Sequence, residues 1–273
     1  MKYSFYPGCA FKSSAGYKES FEAVINELNL KFEEIEDWNC CGATVTKGVD
    51  DFKSLVLTGR IFAIAHRQGY SVIATGCNAC YTTLRKAAKK LSEKDIWVKV
   101  KEALLLEELE LPEKIEIKHL LEILADIPEK TLSKNRPSYI NDISVASYYG
   151  CQLTHPFSNV GDAEKPGIME DFLKKLGFQV TEHSAGTLCC GASLAVPHED
   201  KCKILIDRIL GEIKYRKADV VSTICPLCQF NLDSQNKGIP ITYITQLTGL
   251  ALGIAPSKLG FDKLLTSASG IIK

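Results

Sequence analysis

The sequence predicts an α/β protein made of one unit written twice, and three observations carry that reading. Ten of the eleven cysteines fall into two sets of matching spacing, Cys9/Cys40/Cys41/Cys77/Cys80 and Cys151/Cys189/Cys190/Cys225/Cys228. Equivalent positions are offset by 142, 149, 149, 148 and 148 residues, the signature of an internal repeat with one short insertion. The neighbouring residues repeat too: Tyr6-Pro7-Gly8-Cys9 answers to Tyr148-Tyr149-Gly150-Cys151, and Cys40-Cys41-Gly42-Ala43 to Cys189-Cys190-Gly191-Ala192. Within each half, short β-prone runs alternate with longer helical ones, which implies a small parallel sheet covered by helices.

In the first half, residues 2–6, 30–35 and 71–75 read as strands, and 15–28, 51–68 and 81–92 read as helices with apolar residues at helical spacing. The second half repeats this with strands at 144–149, 178–183 and 220–224 and helices at 167–176 and 198–216. The boundary is placed near residue 135, where Ser133-Lys134-Asn135-Arg136-Pro137 is polar and ends in a proline that discourages a continuing helix. The expected architecture is therefore two duplicated Rossmann-like domains, 1–135 and 136–273, related by a pseudo-two-fold. In parallel sheets ligands collect beyond the carboxyl ends of the strands. Cys9, Cys77, Cys151 and Cys225 each follow a predicted strand, so each set is expected to converge at one sheet edge.

Lysine plus arginine and aspartate plus glutamate both total 33 in the 273 residues, which leaves no net field to draw the chain onto nucleic acid or an acidic membrane. The apolar windows at 54–65 and 239–253 are interrupted by Arg60, Pro240, Gln246 and glycines and predict no membrane span. Residues 1–9 lack the charged and apolar regions of a signal peptide. Eleven cysteines in a sizeable chain without a secretion signal favour reduced thiols and metal ligation in the cytoplasm over disulfides.

A Cys-x-x-Cys pair at a strand-to-helix turn presents two sulfurs on one side, and the helix N-terminus favours the thiolate form that binds metal. Adjacent cysteines in a regular strand would point to opposite faces, so Cys40-Cys41 is expected in a turn, with Gly42 and Gly191 supplying the permissive backbone. Counting ligands then separates the metals. Structural zinc and an ordinary four-iron cubane are each saturated by four ligands, whereas each set offers five. Iron-sulfur chemistry leads, with zinc and dithiol redox chemistry as the alternatives.

The pattern of Cys, Cys-Cys-Gly and Cys-x-x-Cys, carried by Tyr6-Pro7-Gly8-Cys9, Asp37-Trp38-Asn39-Cys40-Cys41-Gly42-Ala43, Tyr149-Gly150-Cys151, Cys189-Cys190-Gly191-Ala192 and Cys225-Pro226-Leu227-Cys228, resembles the cysteine-rich CCG domain. Two copies in one chain resemble the B-subunit family of heterodisulfide reductases. The resemblance implies two noncubane [4Fe-4S] clusters, one per set, held by all ten motif cysteines, with the active site between them. It also implies reduction of a disulfide, that joining coenzyme M and coenzyme B or an analogous one, to two thiols within a complex. Some relatives serve instead in succinate- or hydroxyacid-oxidising complexes. No ferredoxin motif, flavin fingerprint or Gly-x-Gly-x-x-Gly segment occurs in the chain. Electrons are thus expected from partners, which the resemblance identifies as a small cubane-cluster subunit and a flavin-containing subunit.

Reductive cleavage needs two electrons, two places for thiolates and a proton source. Each cluster is expected to deliver one electron and bind one substrate sulfur. His155, four residues beyond Cys151, is the candidate proton donor, against a structural histidine bonded to its own loop. His183 and His198 flank the second Cys-Cys turn and are weaker candidates for tuning it. Lys12 and Lys47 are candidates for meeting an anionic substrate, against solvated surface lysines. Trp38 is expected to shield its cysteines from water, and Cys202, on a predicted helix with Ile204, Leu205 and Ile209, to fill the core. The run 102–113 reads as an amphipathic helix ending at Pro112.

Overall fold

The computed structural model describes residues 2–43, 46–157, 159–235 and 238–272, leaving aside the side chains of Lys2 and Lys47. Contacts gather the chain into two compact units, Met1–Lys12 with Lys31–Leu120, and Ser13–Leu30 with Leu121–Lys273. These units divide the chain differently from the two halves of the repeat, because the helix Tyr17–Glu27 belongs to the second unit.

The first unit is built on four parallel strands, β1 (Lys2–Phe5), β2 (Lys31–Glu34), β3 (Val72–Thr75) and β4 (Glu116–His119), in the order β2-β1-β3-β4. The second unit repeats this with β5 (Ser144–Tyr148), β6 (Gln179–Val180), β7 (Val220–Thr223) and β8 (Ile241–Tyr243), in the order β6-β5-β7-β8. Inner strand β7 is buried throughout, whereas edge strand β2 is largely exposed, as expected when helices cover both faces of a parallel sheet. The register repeats as well. Phe5 pairs with Ala74 in the first sheet and Ser147 with Ser222 in the second, so Phe5 and Ser147 occupy equivalent places.

The predicted α/β class with two parallel sheets is observed, and the six predicted strands are present, although the run 178–183 shortens to Gln179–Val180. Two further strands escaped prediction. β4 alternates charge with buried Ile117 and His119, and β8 is only three residues long. The helix predicted to start at residue 81 begins at Asn78, with Cys77 at its N-cap position. The run 102–113 is corrected: the helix spans Lys94–Leu104, passes into a single 3-10 turn at Leu105–Glu107, and stops where Glu108 adopts a left-handed φ of 55°. A left-handed residue cannot continue a right-handed helix.

Helix Asp51–Arg67 is held at its start by Asp50, whose carboxylate accepts the Lys53 N–H at 3.0 Å, a cap of about 1 kcal/mol. In the second unit, helix Tyr17–Glu27 packs on helix Ile244–Ala251. Tyr17 stacks on Tyr243 at 4.2 Å between centroids and donates its hydroxyl to the Ile224 carbonyl at 3.0 Å. Among the described residues no helix is long and apolar enough to cross a membrane.

Candidate functional site

Both cysteine sets form at the carboxyl ends of the strands. In the first unit Cys9 lies in the short helix Gly8–Ser13 just beyond β1, and Cys77 stands at the N-cap position of helix Asn78–Lys90 just beyond β3. That position places Cys80 in the helix's first turn. In the second unit Cys151 opens the short helix Cys151–Thr154 after β5, and Cys225 stands at the N-cap position of helix Pro226–Ser234 after β7, with Pro226 at a position where its missing N–H costs nothing. The Cys-Cys-Gly segments are turns, as expected, with Gly42 at φ 75° and Gly191 at φ 77°.

The strands and turns bring each set together. In the first, the Cys9 and Cys40 sulfurs lie 3.8 Å apart and those of Cys41 and Cys80 3.4 Å apart, while Cys77 hydrogen-bonds Cys80. In the second, Cys190 and Cys228 are 3.6 Å apart, and Cys151 meets Cys189 as Cys225 meets Cys228. The Gly42 N–H donates to Cys40 Sγ at 3.5 Å and the Gly191 N–H to Cys189 Sγ at 3.4 Å. Cys9, Cys40 and Cys189 are exposed, Cys151 half-buried and the other six motif cysteines buried, so each set has a wet side and a dry side.

The thiols share protons among themselves. Hydrogen bonds from Cys40 and Cys80 hold Cys41 well below the usual thiol range, and the same contact with Cys41 pushes Cys40 and Cys80 up. In the second set Cys151 draws Cys189 down and Cys228 draws Cys190 down, while Cys151 and Cys228 rise. These effects come from neighbouring sulfurs, burial, backbone N–H groups and, at Cys41, the Tyr6 hydroxyl. Five clustered thiols per set suit a bound cation, since metal displaces the thiol proton. No three His, Cys, Asp or Glu among the described residues have the spacing for a single metal ion. Five donors per set exceed the four that one tetrahedral ion takes and fit a group of several ions.

Sequence reasoning missed the two phenols that brace these turns. Tyr6 donates to the Asn39 carbonyl at 2.9 Å and Tyr148 to the Leu188 carbonyl at 2.6 Å, each just before a Cys-Cys pair. Burial, then the charge of four cysteines of the adjoining set, raises the pKa of each phenol. Both hydroxyls therefore stay protonated and donate. The repeated tyrosine before Gly-Cys was the available signal. Trp38 packs edge-on against Tyr6 with centroids 5.6 Å apart and donates to Glu34.

The remaining candidates are placed as follows. His155 is exposed, with Nδ1 2.9 Å from the Thr154 hydroxyl, and lines a cavity of about 870 Å³ with Ser147, Tyr149, Glu170 and His183. Burial holds His183 below the usual imidazole range, and its Nδ1 accepts the Ala185 N–H at 3.2 Å. His198 is exposed and stands at the N-cap position of the helix Glu199–Tyr215 without a side-chain capping bond. Lys12 pairs with Glu34 at 2.7 Å; the side chain of Lys47 lies outside the described residues. Cys202 is fully buried, as is Ile209 beside it on the helix, so it fills the core as expected. Ile204 is exposed, and the Cys202 thiol lies against the Cys190 carbonyl and Asn231.

The CCG cysteine-rich domain model matches residues 3–85 and 145–233, windows that contain all ten motif cysteines. The chain is 30% identical to the 8-methylmenaquinol:fumarate reductase membrane anchor subunit of Wolinella succinogenes, covering 98% of each chain. It is 28% identical to the B subunit of the ferredoxin:CoB-CoM heterodisulfide reductase of Methanosarcina mazei, covering 96% of this chain and 93% of that one. The B subunit of the ferredoxin/F(420)H(2)-dependent CoB-CoM heterodisulfide reductase of Methanosarcina acetivorans is 27% identical with the same coverage. A solved structure of a hypothetical protein from Helicobacter pylori superposes with a TM-score of 0.79 at 16% identity, over 98% of this chain and 52% of that one. This chain thus spans about half of that protein, and the likeness concerns the fold.

Proposed function

Because this chain belongs to the cysteine-rich CCG-domain family, we propose that it is the catalytic iron-sulfur subunit of a heterodisulfide reductase-type complex. Its reaction is reduction of a disulfide, the coenzyme M–coenzyme B heterodisulfide or an analogue, to two thiols. The observation that carries this is the pair of equivalent five-cysteine sets, each at the carboxyl end of its own parallel sheet. Cys9, Cys40, Cys41, Cys77 and Cys80 would hold one noncubane [4Fe-4S] cluster, and Cys151, Cys189, Cys190, Cys225 and Cys228 the other. Bound there, the clusters would supply single electrons to the disulfide.

The chain's own groups position and protect. Tyr6 and Tyr148 fix the Cys-Cys turns, the buried cysteines form the dry side of each set, and the exposed ones, Cys9 and Cys40 in one set and Cys189 in the other, mark the side of each set open to substrate and partners. His155, accessible and steadied by Thr154, is the proposed proton donor to product thiolate; unchanged turnover in His155→Gln would remove it from that role. The partners are a cubane-cluster subunit and a flavin subunit, the compartment is the cytoplasm, and the repeat boundary lies near residue 135.

The identity to a fumarate reductase subunit over 98% of each chain favours a second reading: an electron-transfer subunit of a succinate- or hydroxyacid-oxidising complex. Anaerobic purification with native partners separates the two, followed by oxidation of reduced viologen against a panel of disulfides that includes the coenzyme M–coenzyme B pair. Turnover with a disulfide supports the first reading, and absence of turnover with all of them supports the second.

A further inference from the structure

Each Cys-Cys segment ends in a left-handed glycine, but the amides beside them hold different carbonyls: Asn39 donates to that of Cys40 in the first set, and Asn231 to that of Cys190, the second cysteine of its pair, in the other. Asn231 lies in helix Pro226–Ser234, three residues after Cys228, and is 4% exposed. Its Nδ2 donates to the Cys190 carbonyl at 2.7 Å and lies 3.3 Å from Cys202 Sγ. The Cys202 thiol in turn lies 3.7 Å from the same carbonyl and 3.6 Å from Asn231 Oδ1. Asn231 is thus oriented by a second buried group, from helix Glu199–Tyr215.

The carbonyl it holds belongs to the Cys190–Gly191 peptide. The N–H of that same peptide donates to Cys189 Sγ at 3.4 Å. A peptide unit is planar, with its C=O and N–H pointing in opposite directions. Anchoring the oxygen on one side therefore aims the N–H at the sulfur on the other. Gly191, at φ 77°, is the hinge that would otherwise let this plane turn. In the first set the Gly42 N–H reaches Cys40 Sγ at 3.5 Å, but the residue equivalent to Asn231 is Thr83 and that equivalent to Cys202 is Ser54. A threonine has no amide to offer.

We infer that Asn231 is a positioning residue of the second cysteine set, holding the Cys190–Gly191 peptide so that its N–H points at Cys189, with Cys202 as the support that orients it. Hydrogen bonds to ligand sulfurs help set the potential of an iron-sulfur group, so this arrangement distinguishes the second site from the first. The consequence for potential rests on the iron-sulfur reading above; the peptide anchor does not.

The test installs the first set's residue in the second. In full-length Asn231→Thr, hydrogen exchange of a peptide spanning residues 189–192 is expected to accelerate about fivefold, the scale of one buried hydrogen bond, while that of 40–43 stays as in the parent. In the iron-loaded chain, one of two reduction potentials is expected to move and the other to hold. Cys202→Ser, which keeps a hydroxyl donor of similar size, is expected to stay close to the parent in both readouts. If the threonine variant does not fold, Asn231→Ser is read in the same way. Unchanged exchange at 189–192, or equal acceleration at 40–43, overturns the inference. A chain that takes up no iron overturns the proposed function while the exchange result still decides the anchor.

Discussion

The two cysteine sets share a skeleton and differ in their supports. Shared are the left-handed glycine after Cys-Cys, the N–H donated back to the first sulfur, the cysteine at a helix N-cap position and the phenol bonded to the carbonyl before the turn. The supports diverge. The first turn is held from its outer side, where Asn39 donates to the Cys40 and Leu57 carbonyls and Arg60 donates to the Asp37 carbonyl and carboxylate. The second is held from the inner side by buried Asn231 and Cys202. A duplicated unit thus keeps what the cysteines require and varies what surrounds them, which gives two chemically similar sites separate environments.

The largest effect comes from removing one buried cysteine of either skeleton. Cys41→Ser and Cys190→Ser are each expected to lose about half of the bound iron, about four of about eight atoms per chain for two four-iron groups, as measured by iron analysis and visible absorption. Loss of all iron from either variant would show that the sets do not load independently. Next come the hinge glycines. At Gly42 a Cβ would lie 3.0 Å from Thr46, and at Gly191 3.0 Å from Leu205 and 3.4 Å from the Cys202 backbone. Alanine in the left-handed region costs about 1–2 kcal/mol, so both substitutions destabilise in chemical denaturation. The tight contacts are with side chains at both positions, the Cys202 backbone lying at ordinary van der Waals distance, so the two losses are expected to be similar.

Much of this skeleton was legible in the sequence. Cysteine spacing needs no tertiary information, and the strand-then-cysteine order placed both sets at a sheet edge. What differs between the sets was not legible, for physical reasons. Asn231 reaches the Cys190 carbonyl across 41 residues, and nothing local in Gln229-Phe230-Asn231 distinguishes a buried anchor from a solvated helix position. Cys202 is buried as its helix suggested, but nothing local tied it to the Cys190 carbonyl and Asn231. Strand β8 was hidden because Ile241–Tyr243 is short and follows Pro240, and the placement of helix Tyr17–Glu27 in the second unit depends on tertiary contacts such as that of Ser20 with Thr245 at 2.7 Å.

A smaller effect tests how closely the skeletons match. Tyr6→Phe and Tyr148→Phe each delete one hydroxyl and leave the Asn39 or Leu188 carbonyl without that donor. Each is expected to cost about 1 kcal/mol in denaturant unfolding. Near-equal losses would sharpen the equivalence of the two phenols. A loss at one position alone would break it.

The smallest expected effect concerns the equivalent strand positions Phe5 and Ser147. Around Phe5 the first unit is aromatic, with Phe11 at 5.1 Å and Phe32 at 5.9 Å between ring centroids. Around Ser147 the second unit has the cavity containing Tyr149, Glu170 and His183. Burial raises the pKa of Glu170 above the usual carboxylate value, against hydrogen bonds from Tyr149 and Ser147 that lower it. A folded pKa above the unfolded one means that the folded state holds the proton more tightly. This contribution is present below the unfolded pKa, about 4.3, and is lost as pH rises through the folded value. His183 runs the other way: burial lowers its pKa, so its contribution is present above the unfolded imidazole value and is lost as pH falls through the folded one. Glutamine at 170 still accepts the Tyr149 hydroxyl but does not ionise. The melting temperature of Glu170→Gln relative to the parent is therefore expected to rise with pH above the unfolded carboxyl value of about 4.3, where only the parent must ionise a partly buried carboxyl. Phe5→Leu, a change among aromatic rings, should shift the melting temperature by an amount that does not change with pH. A pH-independent difference for Glu170→Gln would mean that the carboxyl is solvated, and that the two strand positions differ in packing alone.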